Sequence, residues 1–290
     1  MKPPSFDYAA PKTVDDAVSL LGRHEGDAKI LAGGQSLMAL LNMRLARPAL
    51  LVDIARIKGL DDIREVDGCV AIGAMTRQRA VEHSELVRTR FPLLHTAVLN
   101  IAHPQNRNQG TVGGSLAHAD PAAELPAIAL AVDAEFRVVG PKGERRIKAA
   151  DFFVTYLTTA LEATEVLTEV RFPALPPRTA WSFIELARRH GDFALTGVIA
   201  QLATDAGGRC SAARLVLFGV GTTPVRALAA EKLLIGEKLT APLFERAGQT
   251  ASTEIEEPLS DVHASADYRR DLARVLTRRA LVEAASKAAA

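Results

Sequence analysis

Two short segments carry the residue types that hold phosphate: Ala32-Gly33-Gly34-Gln35-Ser36 and Thr111-Val112-Gly113-Gly114-Ser115. Adjacent glycines let bare backbone approach an anion, and a neighbouring hydroxyl adds a hydrogen bond. One Gly-Gly pair alone reads equally well as a tight turn. Two of similar composition, about eighty residues apart, point to one extended ligand containing a diphosphate. Neither segment is G-x-G-x-x-G or a Walker A loop. Asp53 follows Gly33 at the spacing of a ribose-binding acid, but the glycine spacing argues against that role.

Beyond the second segment lie His118, Asp120 and, one turn later, Glu124. Carboxylates this near a phosphate loop suit ribose or ribityl hydroxyls; the plain alternatives are helix capping for Asp120 and a solvated charge for Glu124. The seven histidines are scattered without H-x-x-x-H or H-E-x-x-H spacing, so no metal site is expected. There is no G-x-S-x-G and no evident nucleophile–base set. A chain without its own catalytic residues fits a cofactor holder. The charged turn Arg188-Arg189-His190-Gly191-Asp192-Phe193 is either a solvated loop or a support that lays Phe193 over a flat ring.

The elements around these residues follow from pattern. Strand Ala28–Leu31 runs into the first glycine pair, Ser36 is placed to cap a helix over 37–45, and strand 50–54 follows. Thr13 starts a helix over 14–21. Further on, a strand over 69–73, helices over 76–82, 92–101 and 124–132, a hairpin across Gly140–Gly143 and a strand over 166–172 are expected, with polar 103–110 as a loop. The proline-dense stretch 173–178 reads as a stiff connector. Three long strands, over 181–188, 194–204 and 212–220, and three helices follow; the first helix has Pro224 near its start, and the others span 242–255 and 265–288. The alanine-rich tail 284–290 is expected to fray.

The 290 residues exceed a comfortable single core, so two or three lobes are expected. An apolar content of 48% with 24% charged residues is that of a soluble globular protein. A net charge of +1 gives no attraction for nucleic acid or an anionic membrane. No apolar run is long enough to span a bilayer, and the first residues lack a signal-peptide core, so membrane insertion is not expected and a cytoplasmic location is. Two cysteines, Cys69 and Cys210, cannot ligate an iron–sulfur cluster between them and read as small strand residues.

Ala-Gly-Gly-Gln-Ser followed by Thr-Val-Gly-Gly-Ser-Leu-Ala-His-Ala-Asp-Pro resembles the FAD-binding medium subunit of the molybdenum hydroxylases, the xanthine dehydrogenase and carbon monoxide dehydrogenase family. The resemblance covers nearly the whole chain, and is strongest to medium subunits of quinoline- or nicotine-type N-heterocycle oxidoreductases. It implies an α+β fold. A two-part FAD-binding domain of the vanillyl-alcohol-oxidase (PCMH) type would occupy 1–177, divided near 57, and a three-stranded antiparallel sheet with a helical bundle would occupy 178–290. It implies noncovalent FAD, with Ala32, Gly33, Gly34, Gln35, Ser36, Leu37, Thr111, Gly113, Gly114 and Ser115 around the pyrophosphate. His118 and Asp120 would also contact the cofactor, Glu124 would bind ribityl hydroxyls, and Ile101, Leu161 and Phe193 would lie beside the isoalloxazine. Some relatives carry a lysine near the flavin where this chain has Glu185. The chain itself would hold no metal. A large subunit with a molybdopterin cofactor and a small subunit with two [2Fe-2S] clusters are implied as partners, in a dimer of heterotrimers that passes electrons to an external acceptor. A stand-alone flavin oxidoreductase and a non-redox nucleotide-binding module remain the alternatives.

Overall fold

The computed structural model describes residues 2–24 and 26–288. The first part holds β1 (Asp7–Ala9), α1 (Val14–Gly22), β2 (Ala28–Leu31), α2 (Leu37–Asn42) and β3 (Leu50–Asp53). Its strands form a parallel sheet in the order β1-β3-β2. Thr13 caps α1 as expected, its hydroxyl accepting the Asp16 N–H at 3.1 Å. Ser36 stands at the start of α2, but its hydroxyl makes no capping bond, and α2 stops at Asn42 rather than Leu45. Asp53 accepts from the Tyr8 hydroxyl at 2.6 Å and the Ala55 N–H at 2.9 Å.

The second part contains β4 (Ile63–Val66), β5 (Cys69–Gly73), α3 (Gln78–Glu82), α4 (Glu85–Arg90), α5 (Pro92–Asn100), α6 (Pro104–Gln109), α7 (Val112–His118) and α8 (Glu124–Ala131). It continues with β6 (Glu135–Gly140), β7 (Gly143–Lys148), α9 (Ala149–Phe152), β8 (Phe153–Thr155), β9 (Thr158–Thr159) and β10 (Val166–Pro173). An antiparallel sheet runs β4-β5-β10-β6-β7, and β8 and β9 pair separately. The polar stretch expected to be a loop is α6. What holds it is not an apolar stripe but Arg107, 6% exposed, which donates to Glu82 at 2.9 Å and to the Ile101 and Ala102 carbonyls at 2.7 and 3.1 Å. A helix held by a buried ion pair leaves no hydrophobic period to read. Both cysteines are unpaired strand residues, as expected.

The last part has β11 (Ala180–Leu186), β12 (Thr196–Thr204), β13 (Cys210–Phe218), β14 (Val225–Arg226), α10 (Leu228–Leu234), α11 (Ala241–Thr253) and α12 (Ala266–Ala288). The three long antiparallel strands stand as expected, and the two-residue β14 adds a fourth. Pro224 precedes β14 instead of opening a helix. The tail is helical through Ala288; Ala289 and Ala290 lie outside the described residues.

β12 divides its side chains between two cores. Ile199 joins the core around α5 and α8, whereas Val198, Ala200 and Leu202 join the core beneath α10, α11 and α12. Alternate residues of a strand face opposite sides, so this sheet is the wall shared by the front and back of the molecule. α8 lies in front of it with every residue buried, and its Ala131 carbonyl accepts from Gln201 at 2.8 Å and Arg214 at 3.1 Å.

The start of α7 is seated on β5 and the turn after it by close backbone approach. A Cβ on Gly113 would lie 2.5 Å from the Ala74 Cβ and 2.7 Å from its Cα. Overpacking of this kind costs about 1–3 kcal/mol. Gly113→Ala is therefore expected to destabilise the protein by that amount in urea melts, with Gly22→Ala, which meets nothing within 4 Å, as the tolerated control.

Candidate functional site

The two glycine segments, distant in sequence, touch. A Cβ on Gly33 would lie 2.9 Å from the Gly110 Cα and 3.1 Å from the Thr111 nitrogen, and closer still to the Gln109 carbonyl oxygen. One on Gly114 would lie 3.5 Å from the Ala32 Cβ. Asn106 donates to the Gln35 side-chain oxygen at 3.3 Å, and Arg77 donates to the Gln109 carbonyl. Asn106, Arg77 and Gly110 thus belong to the site's frame. Their only sequence signal is their place in the polar lead-in and at a strand–helix junction.

The two segments offer different groups. Among the described residues, the N–H groups of Gly33, Gly34, Gln35 and Ser36 donate to no protein acceptor, nor does the Ser36 hydroxyl. Gly34 holds φ +71°, the left-handed conformation that glycine adopts without strain. Successive free N–H groups in such a turn make an anion-binding concavity. In the second segment the N–H groups are occupied. Val112 donates to Thr76 O, Gly113 to Ala74 O at 2.8 Å, Gly114 to the Thr111 hydroxyl at 3.1 Å and Ser115 to Thr111 O. Thr111 is the N-cap of α7, so its oxygen is engaged, while the Ser115 hydroxyl has no protein partner among the described residues. The second segment shapes the floor and the first supplies the donors.

The other expected residues gather around this floor. His118 ends α7, half-buried, and burial pushes its imidazole below its ordinary value against the opposing pull of Asp120. Asp120 accepts the Ala122 N–H at 2.9 Å in a local turn; it does not cap α8, whose N-cap is Ala123 with no side-chain bond, which corrects the capping role weighed from sequence. Ile101 is buried at the end of α5. Leu161 follows β9, which packs on α7. The 188–193 turn closes against the chain after Ile101, where a Cβ on Gly191 would meet the His103 ring at 2.7 Å. Phe193, at the end of that turn, is an apolar ring left 65% exposed.

Glu124 opens α8 and is only 6% exposed. Burial, reinforced by the charge of Glu185 and of Asp120, pushes its carboxyl up to about 8 against the smaller opposing pull of Arg107. Burial likewise pushes Glu185 on β11 up to about 7, and its Oε2 is buried without a hydrogen-bond partner. Glu185 thus joins the site's electrostatics through the orphaned oxygen. Among the described residues no cation is bonded to either carboxyl; near pH 7 Glu124, at about 8, is mainly protonated and Glu185, at about 7, about half so, and the protonated form can donate to an uncharged hydroxyl or ring group of a ligand.

Free N–H groups for phosphate, neutral carboxyls and an exposed ring fit a flavin dinucleotide better than a metal; no group of three or more potential metal ligands occurs among the described residues. The comparisons agree. Residues 4–175 match the family described as the FAD binding domain in molybdopterin dehydrogenase, and 181–284 match the CO dehydrogenase flavoprotein C-terminal domain. The chain is 43% identical to the 6-hydroxypseudooxynicotine dehydrogenase complex subunit alpha of Paenarthrobacter nicotinovorans, covering 99% of this chain and 97% of that protein. It superposes on a chain of the Hydrogenophaga pseudoflava carbon monoxide dehydrogenase with a TM-score of 0.95 at 41% identity, covering 99% of each. On a chain of quinoline 2-oxidoreductase from Pseudomonas putida the TM-score is 0.93 at 38% identity, again covering 99% of each.

A carboxyl whose value is raised on folding stabilises the fold while protonated, and that contribution is lost as pH rises through the folded value. For Glu124 the loss runs from its ordinary value near 4.5 up to about 8. The ligand-free protein should melt at progressively lower temperature as pH rises across that window. Glu124→Gln, which is neutral at every pH, should flatten the slope; an unchanged slope in thermal melts would locate the effect elsewhere.

Proposed function

From the premise that this chain belongs to the FAD-binding medium subunits of the molybdenum hydroxylases, we propose that it is the flavin subunit of a multi-subunit hydroxylase for an N-heterocycle. It would take electrons from the [2Fe-2S] clusters of a small partner and deliver them to an external acceptor, while a large molybdopterin subunit transforms the substrate. The two cysteines of this chain leave the clusters to a partner. Relatives named for nicotine, caffeine and quinoline support the substrate class. The assembly would be a dimer of heterotrimers in the cytoplasm; no helix among the described residues is long and apolar enough to cross a membrane. The FAD-binding domain would occupy 1–177 and the second domain 178–290.

The observation that carries this reading is the run of unpartnered N–H groups from Gly33 to Ser36, seated against the second glycine segment. These groups would hold the FAD pyrophosphate, joined by the free hydroxyls of Ser36 and Ser115. Bound FAD supplies a site that accepts electrons singly and releases them in pairs. Glu124 would donate to or accept from the ribityl hydroxyls, with Asp120 holding the turn before it. Ile101 and Leu161 would border the ring, and Phe193 would cover one of its faces and limit access by water.

Metal analysis of the native complex should find molybdenum and iron with two further chains; an active native enzyme free of both metals would refute the assignment. Gly34→Val forces a branched residue into a left-handed conformation, a strain of about 1–3 kcal/mol, so FAD affinity should fall roughly 10- to 100-fold in the folded variant. Phe193→Ala should change the rate of flavin reoxidation by oxygen, measured in stopped flow, more than it changes FAD affinity.

A further inference from the structure

A second cavity lies away from the glycine segments, at the seam between the front of the molecule and the last sheet. Its volume is about 200 Å³. The floor is Phe91, Leu93, Leu94, Ile128 and Phe172, all buried. The rim is formed by Arg90, Pro92 and Pro176, which are exposed, with Val132, Leu175 and Thr179 between floor and rim. Trp181 contributes an indole wall from β11.

This hollow is held open. Pro92 starts α5, and Pro173 and Pro176 fix the connector that forms one side. That connector is pinned to the turn before β5 by Ala174 N–H to Gly68 O at 3.0 Å and shaped internally by a turn, Thr179 N–H to Pro176 O at 3.1 Å. Trp181 is anchored too: Lys287 Nζ donates to its carbonyl at 3.1 Å and stands 4.9 Å from the ring centroid. Closing the cavity would require breaking these ties, so its shape exists before any ligand arrives.

The chemistry of the walls selects the ligand. An engineered apolar cavity of about 150 Å³ in another protein stays dry and binds benzene; this one, at about 200 Å³, has room for one or two rings. The polar side chains of the lining are Arg90 and Thr179, and the Arg90 guanidinium is already paired with Glu65 at 2.9 Å. No free counter-charge is offered, and three aromatic side chains present ring faces or edges.

We propose that this cavity is a second binding site, separate from the FAD site, for a neutral planar aromatic molecule of one or two rings. Such a ligand would touch α5 and α8 on one side and β11 on the other, tying the two parts of the chain together. Ile128 and Val132 lie one and two turns along from Glu124, so the bound ring would also rest on the helix that carries a site carboxyl.

The test uses the full FAD-loaded chain with toluene and isoquinoline at pH 8, where both are neutral. Trp181 is the only tryptophan, so its fluorescence reports this cavity directly. The expected result is a saturable change in Trp181 emission and a melting temperature that rises with ligand concentration. Val132→Phe and Leu175→Phe each fill the cavity from a different wall, and either one that melts cooperatively should lose at least 10-fold in affinity while retaining FAD. No saturable change in the wild type, unaltered binding in a folded filled variant, or tighter capture of benzoate than of toluene would each overturn the proposal.

Discussion

The approach of Gly33 to the backbone of Gln109, Gly110 and Thr111 is the constraint on which the site depends. No side chain fits there: even a methyl group would overlap main-chain atoms that cannot move aside without unseating α6 and α7. The contact converts two ordinary turns into one surface. It joins the small parallel sheet, which supplies free N–H groups, to the larger antiparallel sheet, which supplies the floor. The larger side is in turn rigid because Arg107 is spent entirely on Glu82 and the Ile101 and Ala102 carbonyls, locking α6 to α3 and to the end of α5. A buried arginine so engaged is costly to disturb, since loss of one partner leaves an uncompensated charge.

The unequal roles of the segments follow from their surroundings. Gly113 is pressed onto Ala74, and the N–H groups around it are drawn into bonds that hold α7 in place. The Gly33–Ser36 turn joins β2 to the six-residue α2, and although it packs against the Gln109–Thr111 backbone, none of its N–H groups donates to a protein acceptor among the described residues. Similar sequences therefore do different work. Unmet donors in a turn are costly when shielded from water, and an anionic ligand repays that cost in both charge and hydrogen bonds.

Much of this was legible from residues. The long apolar segments announced β12 and β13 as strands, and Thr13 announced the start of α1, because burial and capping act locally. The glycine segments were visible as candidate anion holders, and Phe193 as a candidate ring cover. α6 was not, because an ion pair with Glu82, twenty-five residues away, holds it. Nor was the two-residue β14, or the end of α2 at Asn42, which no proline or glycine marks. The division of donors between the two segments was equally hidden: Ala74 and Thr76, which take the N–H groups of the second, lie nearly forty residues away and are ordinary in sequence.

Glu124 shows how an electrostatic feature follows from packing. α8 reads Glu-Leu-Pro-Ala-Ile-Ala-Leu-Ala, and all eight residues are buried because it is sandwiched between α5 and the last sheet. The far end of the helix is satisfied by Gln201 and Arg214 from that sheet. The near end carries the carboxyl into the same dry layer, facing Glu185 from β11 with no cation bonded to either. Stability alone would favour an apolar residue at each position, since unpaired buried carboxyls are paid for in desolvation. Glu185 stands near the end of β11, just before the 188–193 turn, and Glu124 opens the helix that follows His118 and Asp120. At Glu124 the neutral form that burial favours is the form that bonds a hydroxyl without adding charge beside a dinucleotide that already carries two phosphates.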